Sequence, residues 1–242
     1  MVVSVKCIAS GQKGGVGKST LAILTSEVAP ALGIRLGVVD LAMGNPSTSV
    51  ALLGGVARHT VATYVVGASR INEVINVVPT RRGPVYLAPS GRGDLSLVRV
   101  HGDLRGGVKE IIDFMLSRLS VDYVVIDFPA FEPSIDEVFS DVLSICDVVY
   151  PVGIQDPGSL MAMRNLVFYA RRVGVDVGVP VINLFREALG GRWVGVVGKL
   201  VGREPSVIHY DPWLIRFAFG DDVNYGIGVK DALEYIVRRI LR

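Results

Sequence analysis

Two hydrophobic patterns alternate along the chain. Short, predominantly apolar runs, most of them rich in Val and Ile, occur at 2–9, 35–40, 85–88, 121–127, 148–152, 179–184 and 207–210. Runs this short and apolar predict strands buried on both faces. Between them, apolar residues recur every three or four positions, the period of an amphipathic helix. Helices are predicted at 18–32 (stopped by Gly33), 108–119, 134–145, 159–173 and 229–241, with short pieces at 50–53, 61–66, 71–75 and near 214–219. In 108–119 the stripe is Val108, Ile111, Ile112, Met115, Leu116 and Leu119. Ser134 followed by Glu137 spells a capping box. Residues 41–49, with Gly44, Asn45 and Pro46, read as irregular, and the neighbourhoods of Arg81, Arg82 and Arg92 as loop. The alternation predicts an α/β fold: a three-layer, doubly wound, mainly parallel sheet with right-handed crossovers. No linker, repeat or low-complexity stretch divides it, so 1–242 reads as a single domain.

The candidate chemistry lies in Gly11-Gln12-Lys13-Gly14-Gly15-Val16-Gly17-Lys18-Ser19-Thr20, where the first strand hands over to the first helix. That is the context of a phosphate-binding loop, and it makes 1–242 a candidate P-loop nucleotide-binding domain. Glycines let backbone N–H groups turn inward on a phosphate, and the helix adds the positive end of its dipole. The candidate phosphate cradle is Gly14, Gly15, Val16, Gly17, Lys18, Ser19 and Thr20. Lys18 is placed to reach the β/γ-phosphates and the Ser19 hydroxyl to join a Mg²⁺ shell. Ligands of such sheets bind at the carboxyl ends of the strands, where Asp40 and Asp127 each close an apolar run. Asp127 is the candidate second metal residue; the alternative is a structural carboxylate at a strand end.

Composition narrows the class. Half the 242 residues are apolar and the mean hydropathy is +0.46, yet no run approaches a bilayer span. The first apolar run lacks a charged leader, so no secretory signal is expected and the cytoplasm is the expected compartment. Cys7 and Cys146 are expected to be two buried free thiols in a reducing environment, and they exclude a CxxC metal or iron–sulfur site. A net charge of +2 predicts no strong field for nucleic acid. Arg outnumbers Lys 19 to 6 and Gln occurs only at 12 and 155, a scarcity of amides that points weakly to a thermophile.

Lys13-Gly14-Gly15-Val16-Gly17-Lys18-Ser19 resembles the deviant phosphate loop of ParA/MinD-type ATPases. The likeness covers nearly the whole chain: 40–54 resembles the first switch segment, 86–91 the turn after the next strand, 121–129 the second acidic strand and switch, and 150–160 the segment after the strand that follows. The resemblance implies a P-loop NTPase fold, ATP and Mg²⁺ as cofactors, and a homodimer across ATP, open to higher assembly, in which Lys13 crosses to the partner's phosphates. A lysine suits that task as a long, flexible point charge. Asn183 falls where the family has an adenine-contacting Asn, and its amide can pair with a base edge; a turn-forming Asn at a strand end is the alternative. Ile208-His209-Tyr210-Asp211 resembles an Ile-Pro-Tyr-Asp motif, with His209 read as structural.

One departure bears on turnover. The family's first switch reads Asp-x-Asp, and the second carboxylate positions the attacking water. Here that position is Ala42, which neither accepts a proton nor holds a water, so hydrolysis is expected to be slow. The catalytic candidates are then Lys13, Lys18 and Asp40. Missing cysteine ligands set aside the nitrogenase-reductase-like, iron–sulfur carrier and metal-efflux branches, leaving DNA partition or subcellular positioning. Arg81, Arg82, Arg164, Arg171, Arg172, Arg238, Arg239 and Arg242 are candidates for non-specific DNA contacts. The stripe Val229, Ala232, Leu233, Ile236, Val237 and Ile240 is expected to dock on the sheet rather than lie on a membrane. A ParB-like or MinC-like regulator completes the implied partners. Two functions stand: a slow ATPase switch, and a non-hydrolysing ATP-bound scaffold.

Overall fold

Strand β1 (Val5–Ala9) is buried at every position, yet its side chains divide by the two-residue period of a strand. Val5, Cys7 and Ala9 face one layer, and Ile8 faces the other. A sheet whose residues are apolar on both sides must be covered on both sides. The computed structural model describes residues 4–218 and 226–241. Val2, Val3, Phe219 and Arg242, which belong to predicted elements or contacts, lie outside them.

Among the described residues the other strands are β2 (Leu36–Asp40), β3 (Asn76–Thr80), β4 (Gly83–Ala88), β5 (Tyr123–Asp127), β6 (Val148–Gly153), β7 (Asp176–Val177), β8 (Val181–Phe185) and β9 (Ser206–His209). Their order is β3-β4-β2-β5-β1-β6-β8-β9, with β7 beside β6. Each pairing is parallel except β3 with β4. The mainly parallel, doubly wound α/β sheet expected from the sequence is therefore present.

The helices are α1 (Lys18–Ala31), α2 (Ser47–Leu53), α3 (Val61–Val65), α4 (Ile71–Val74), α5 (Asp94–His101), α6 (Leu104–Arg118), α7 (Glu137–Leu143), α8 (Pro157–Arg172), α9 (Arg192–Val201), α10 (Trp213–Ala218) and α11 (Ile227–Tyr235). Leu21 and Leu24 of α1 share one core with Val229 and Ala232 of α11, while Ile111 of α6, Phe139 of α7 and Leu166 of α8 share the other. Beyond α11 the chain continues as a π-helical turn, Ile236–Ile240, with Ile236 and Ile240 buried. The C-terminal stripe thus docks on the fold, as expected. A buried lysine secures it: Lys6 Nζ donates to the Ile240 carbonyl at 2.6 Å and lies 3.8 Å from the Tyr123 ring centre. Burial lowers the Lys6 ammonium to about 8.

Several expectations are corrected. The segment 76–80 was not expected to be a strand; it is the outermost one, where Pro79 is tolerated because an edge has no second partner to receive an N–H. Helix α5 follows Gly91-Arg92-Gly93, where a loop was expected, and α9 forms despite Gly195 and Gly198. Helix α2 begins at Ser47, within the stretch read as irregular. The capping box of Ser134 does not form: α7 starts at Glu137 behind Asp136, and the Ser134 hydroxyl donates to Glu132 at 3.0 Å.

The largest correction concerns the cysteines. Cys7 and Cys146 are not free thiols but a disulfide, with Cα atoms 6.1 Å apart. Cys146 lies just before β6, and the parallel pairing of β6 with β1 carries it to Cys7. Far separation in sequence says nothing against a pair that the sheet brings together, and the thiol argument for a reducing compartment falls with it. The bond closes a sequence separation of 139 residues, a constraint on the unfolded chain worth about 4 to 5 kcal/mol. Thermal melts are therefore expected to show a lower midpoint with reductant than without, and Cys146→Ala is expected to melt like the reduced protein under both conditions.

Candidate functional site

The carboxyl ends of β1, β2 and β5 meet because these strands are neighbours in the sheet. The register sets Asp40 opposite Asp127 at the ends of β2 and β5, and β1 leads directly into the glycine loop. A cleft of about 410 Å³ opens there, lined by Gly14, Gly15, Lys18 and Ser19, by Ala42 to Asn45, and by Phe128 to Ala130. The structure thus brings together the predicted loop, the Ala42 position and the segment after Asp127.

Within the loop, Gly15 and Gly17 have φ of +71° and +93°. Gly17 also faces Asn183 closely: a Cβ there would sit 2.1 Å from the Asn183 Nδ2. Asn183 Nδ2 donates to the Val16 carbonyl at 2.8 Å, so β8 braces the loop from behind. The Asn183 Oδ1 is buried with no hydrogen-bond partner, and Asn183 stands behind the loop and is not among the residues that line the cleft. Thr20 sits half-buried in the first turn of α1.

Lys18 is buried, and its Nζ donates to the Ser10 hydroxyl at 3.0 Å. That hydroxyl in turn donates to the Lys13 carbonyl at 2.6 Å. Burial lowers the Lys18 ammonium below its ordinary value, and the nearby Asp127 opposes that shift. Sequence reasoning did not identify Ser10; its position at the end of β1, one residue before the loop, is the signal it carries. Lys13 Nζ lies 3.4 Å from Asp156 Oδ1. Asp156 caps α8, with the same oxygen accepting from the Ser159 N–H at 2.9 Å.

The two carboxylates differ. Both oxygens of Asp40 are engaged: Oδ1 accepts from the Ala42 N–H at 2.8 Å, and Oδ2 from the Ser49 N–H at 2.9 Å and the Ser49 hydroxyl at 2.6 Å. Asp40 thereby shapes the first switch segment and does not line the cleft. Asp127 accepts from the Thr48 hydroxyl at 2.7 Å and from Ser19, but its Oδ1 is buried and unpartnered. Burial, and then the neighbouring Asp40, push Asp127 up to about 7. Burial also raises Asp40. A buried carboxylate oxygen without a donor, beside the Ser19 hydroxyl, fits the oxygen-donor set of a hard divalent cation. Thr48 was within the switch segment quoted from the sequence, but its bond to Asp127 was not foreseen.

A strand–loop–helix phosphate cradle at the carboxyl edge of a parallel sheet, backed by a buried acid, defines a P-loop nucleoside triphosphatase. Residues 5–173 match the family model described as an AAA domain, and the chain belongs to that family as a P-loop ATPase of the ParA/MinD type. It is similar to the antiactivator FleN of Pseudomonas aeruginosa, 27% identical over 164 residues, which cover 64% of this chain and 55% of FleN. The match thus spans little more than half of that relative. Among solved structures it is similar to the cell division ATPase MinD of Pyrococcus furiosus, with a TM-score of 0.78, 20% identity and 97% of both chains covered. MinD of Pyrococcus horikoshii, complexed with Mg-ADP, gives 0.78 at 19% identity over 98% of this chain and 97% of that one. Apo McdA of Cyanothece gives 0.76 at 13% identity over 97% and 98%. At these identities the structural likeness establishes the fold.

The raised Asp127 carboxyl gives a signed expectation. An unfolded Asp ionises near 3.8 and the folded one near 7, so between these values the folded chain holds the extra proton and stability falls as pH rises. Asp127→Asn removes that slope. The variant without ligand is expected to match wild type near pH 4 and to exceed it by about 1 kcal/mol or more at pH 7.5 in chemical denaturation. It is also expected to lose the dependence of nucleotide affinity on Mg²⁺.

Proposed function

We propose that this protein is an ATP-dependent dimerising switch of slow turnover that acts in DNA partition or subcellular positioning. The observation that carries it is the pairing of an intact cation-ready wall, Ser19 with the orphaned Asp127 oxygen, with an alanine at the water-positioning place. Lys18 and the loop N–H groups bind the phosphates, the Asn183 amide contacts the adenine, and Ser19 and Asp127 hold Mg²⁺. Bound Mg²⁺ supplies neutralisation of the phosphate oxygens. Lys13, on the rim in a half-exposed pair with Asp156, is free to leave that pair for a second subunit, because such pairs are weak. The solved relatives named for Mg-ADP, and a Borrelia burgdorferi plasmid partition protein bound to AMPPNP, support ATP and Mg²⁺ as the ligands. The use of ATP supports the cytoplasm as the compartment.

Two observations bear on the platform. The apolar stripe after Gly226 is buried against the fold, which makes it unavailable to a lipid surface and favours DNA or a protein assembly. Arg164 and Arg172 are exposed along α8, whereas Arg171 donates to the Val201 carbonyl. A ParB-like or MinC-like protein is the expected regulator. Ala42 favours a second reading, a persistent ATP-bound scaffold, in which turnover is absent rather than slow.

Sizing chromatography is expected to show a dimer with Mg·ATP and a monomer with ADP, and Lys13→Ala is expected to stay monomeric in both. An elution volume indifferent to nucleotide would overturn the dimer. Phosphate release is expected to be slow, lost in Lys18→Ala, and raised on the order of tenfold to a hundredfold in Ala42→Asp. Wild type with no release at all would establish the scaffold instead, and no gain in Ala42→Asp would overturn the role given to the missing carboxylate.

A further inference from the structure

The cleft contains a second cation besides Lys18, contributed by a helix that the phosphate-loop motif does not include. Arg99 of α5 lines the same cleft as Gly15, Lys18 and Ala42. Its guanidinium Nη2 lies 3.1 Å from Asp136 Oδ2. Asp136 occupies the N-cap position of α7 but makes no capping hydrogen bond there, so its carboxylate is engaged by the arginine instead. Of the residues lining the cleft, Lys18 and Arg99 are the cations and Asp136 is the one anion.

The connections of α5 give this pair its meaning. Just before the helix, the Ser90 N–H donates to the Ser49 hydroxyl at 2.9 Å, and that hydroxyl donates to Asp40 at 2.6 Å. Helix α5 is therefore tied at its start to the first switch segment, and through Arg99 to the loop that follows Asp127. The Arg99 side chain is 53% exposed and that of Asp136 19%. An ion pair this open is worth about fivefold at most in an equilibrium. A terminal phosphoryl group is a stronger partner for a guanidinium, because it offers several charged oxygens to a planar fork of donors.

We propose that Arg99 is the residue by which the site tells a nucleoside triphosphate from a diphosphate: it exchanges Asp136 for the terminal phosphoryl oxygens, drawing on α5 and freeing the start of α7. The inference rests on the nucleotide-binding reading above and adds to it a residue that distinguishes the two ligands. Arg99 is then a specificity residue, and Asp136 the competitor that holds it when no third phosphate is present. In this protein the cation also stands in a cleft where Ala42 has removed a negative charge, so the third phosphate meets one carboxylate fewer.

The test is direct binding with Mg²⁺ of ADP and of a non-hydrolysable ATP analogue to wild type, Arg99→Ala, Arg99→Lys and Asp136→Asn. Arg99→Ala is expected to weaken the analogue about tenfold while ADP stays within about twofold of wild type, with Arg99→Lys in between. Asp136→Asn is expected to tighten the analogue by about threefold and leave ADP unchanged. A purely structural ion pair predicts something else: Arg99→Ala and Asp136→Asn melt earlier and the ratio of the two affinities does not move. Equal losses for both nucleotides, or no change in Arg99→Ala, would overturn the proposal, while binding of both nucleotides by wild type would keep the underlying reading. Wild type that binds neither nucleotide would overturn both.

Discussion

The parallel pairing of β2, β5 and β1 forces two carboxylates to the same buried edge. Asp40 and Asp127 sit in register, both without solvent exposure, and burying like charges side by side is costly unless each is paired or protonated. The fold answers the two differently. Around Asp40 the first switch segment wraps so that the Ala42 and Ser49 N–H groups and the Ser49 hydroxyl all point at it. Asp127 receives Thr48 and Ser19 but keeps one oxygen bare. One carboxylate thus organises a loop, and the other is left ready for a cation.

The cations around the site follow a similar division. Lys18 is buried and held by Ser10, in place before any ligand arrives. Lys13 and Arg99 rest in partly exposed pairs with Asp156 and Asp136, contacts that are cheap to break. Both acidic partners occupy N-cap positions of helices, and only Asp156 makes the capping hydrogen bond. Tight pairs fix the cradle, and weak pairs leave the rim adjustable. Lys6, deep in the sheet, shows the contrast: it caps the C-terminal turn at 2.6 Å and has nowhere else to go.

Much of this was legible beforehand because the signals are local. A glycine loop between a buried strand and a helix reveals itself by spacing, and five-residue Val/Ile runs reveal a buried sheet. The elements that escaped carry weak local signals. Strand β3 contains Pro79, helix α9 contains two glycines, and α5 is short and follows Gly91-Arg92-Gly93. Each is held by packing against the rest of the fold, which overrides propensities worth about 1 kcal/mol per glycine. Ser134 and Glu137 had the right spacing for a cap, yet Ser134 bonds Glu132 and Asp136 takes the cap position.

The sequence by itself determined the phosphate loop, the α/β class, the two acidic strand ends and the alanine at 42, because these depend on residue type and on spacing over a few positions. The tertiary structure decided what depends on distant segments meeting: the Cys7–Cys146 bond, the brace from Asn183 to the loop, the unequal fates of Asp40 and Asp127, and the arrival of Arg99 in the cleft. Strand order is the physical reason. A parallel sheet brings together residues more than a hundred positions apart, and no local pattern states which strand will lie beside which.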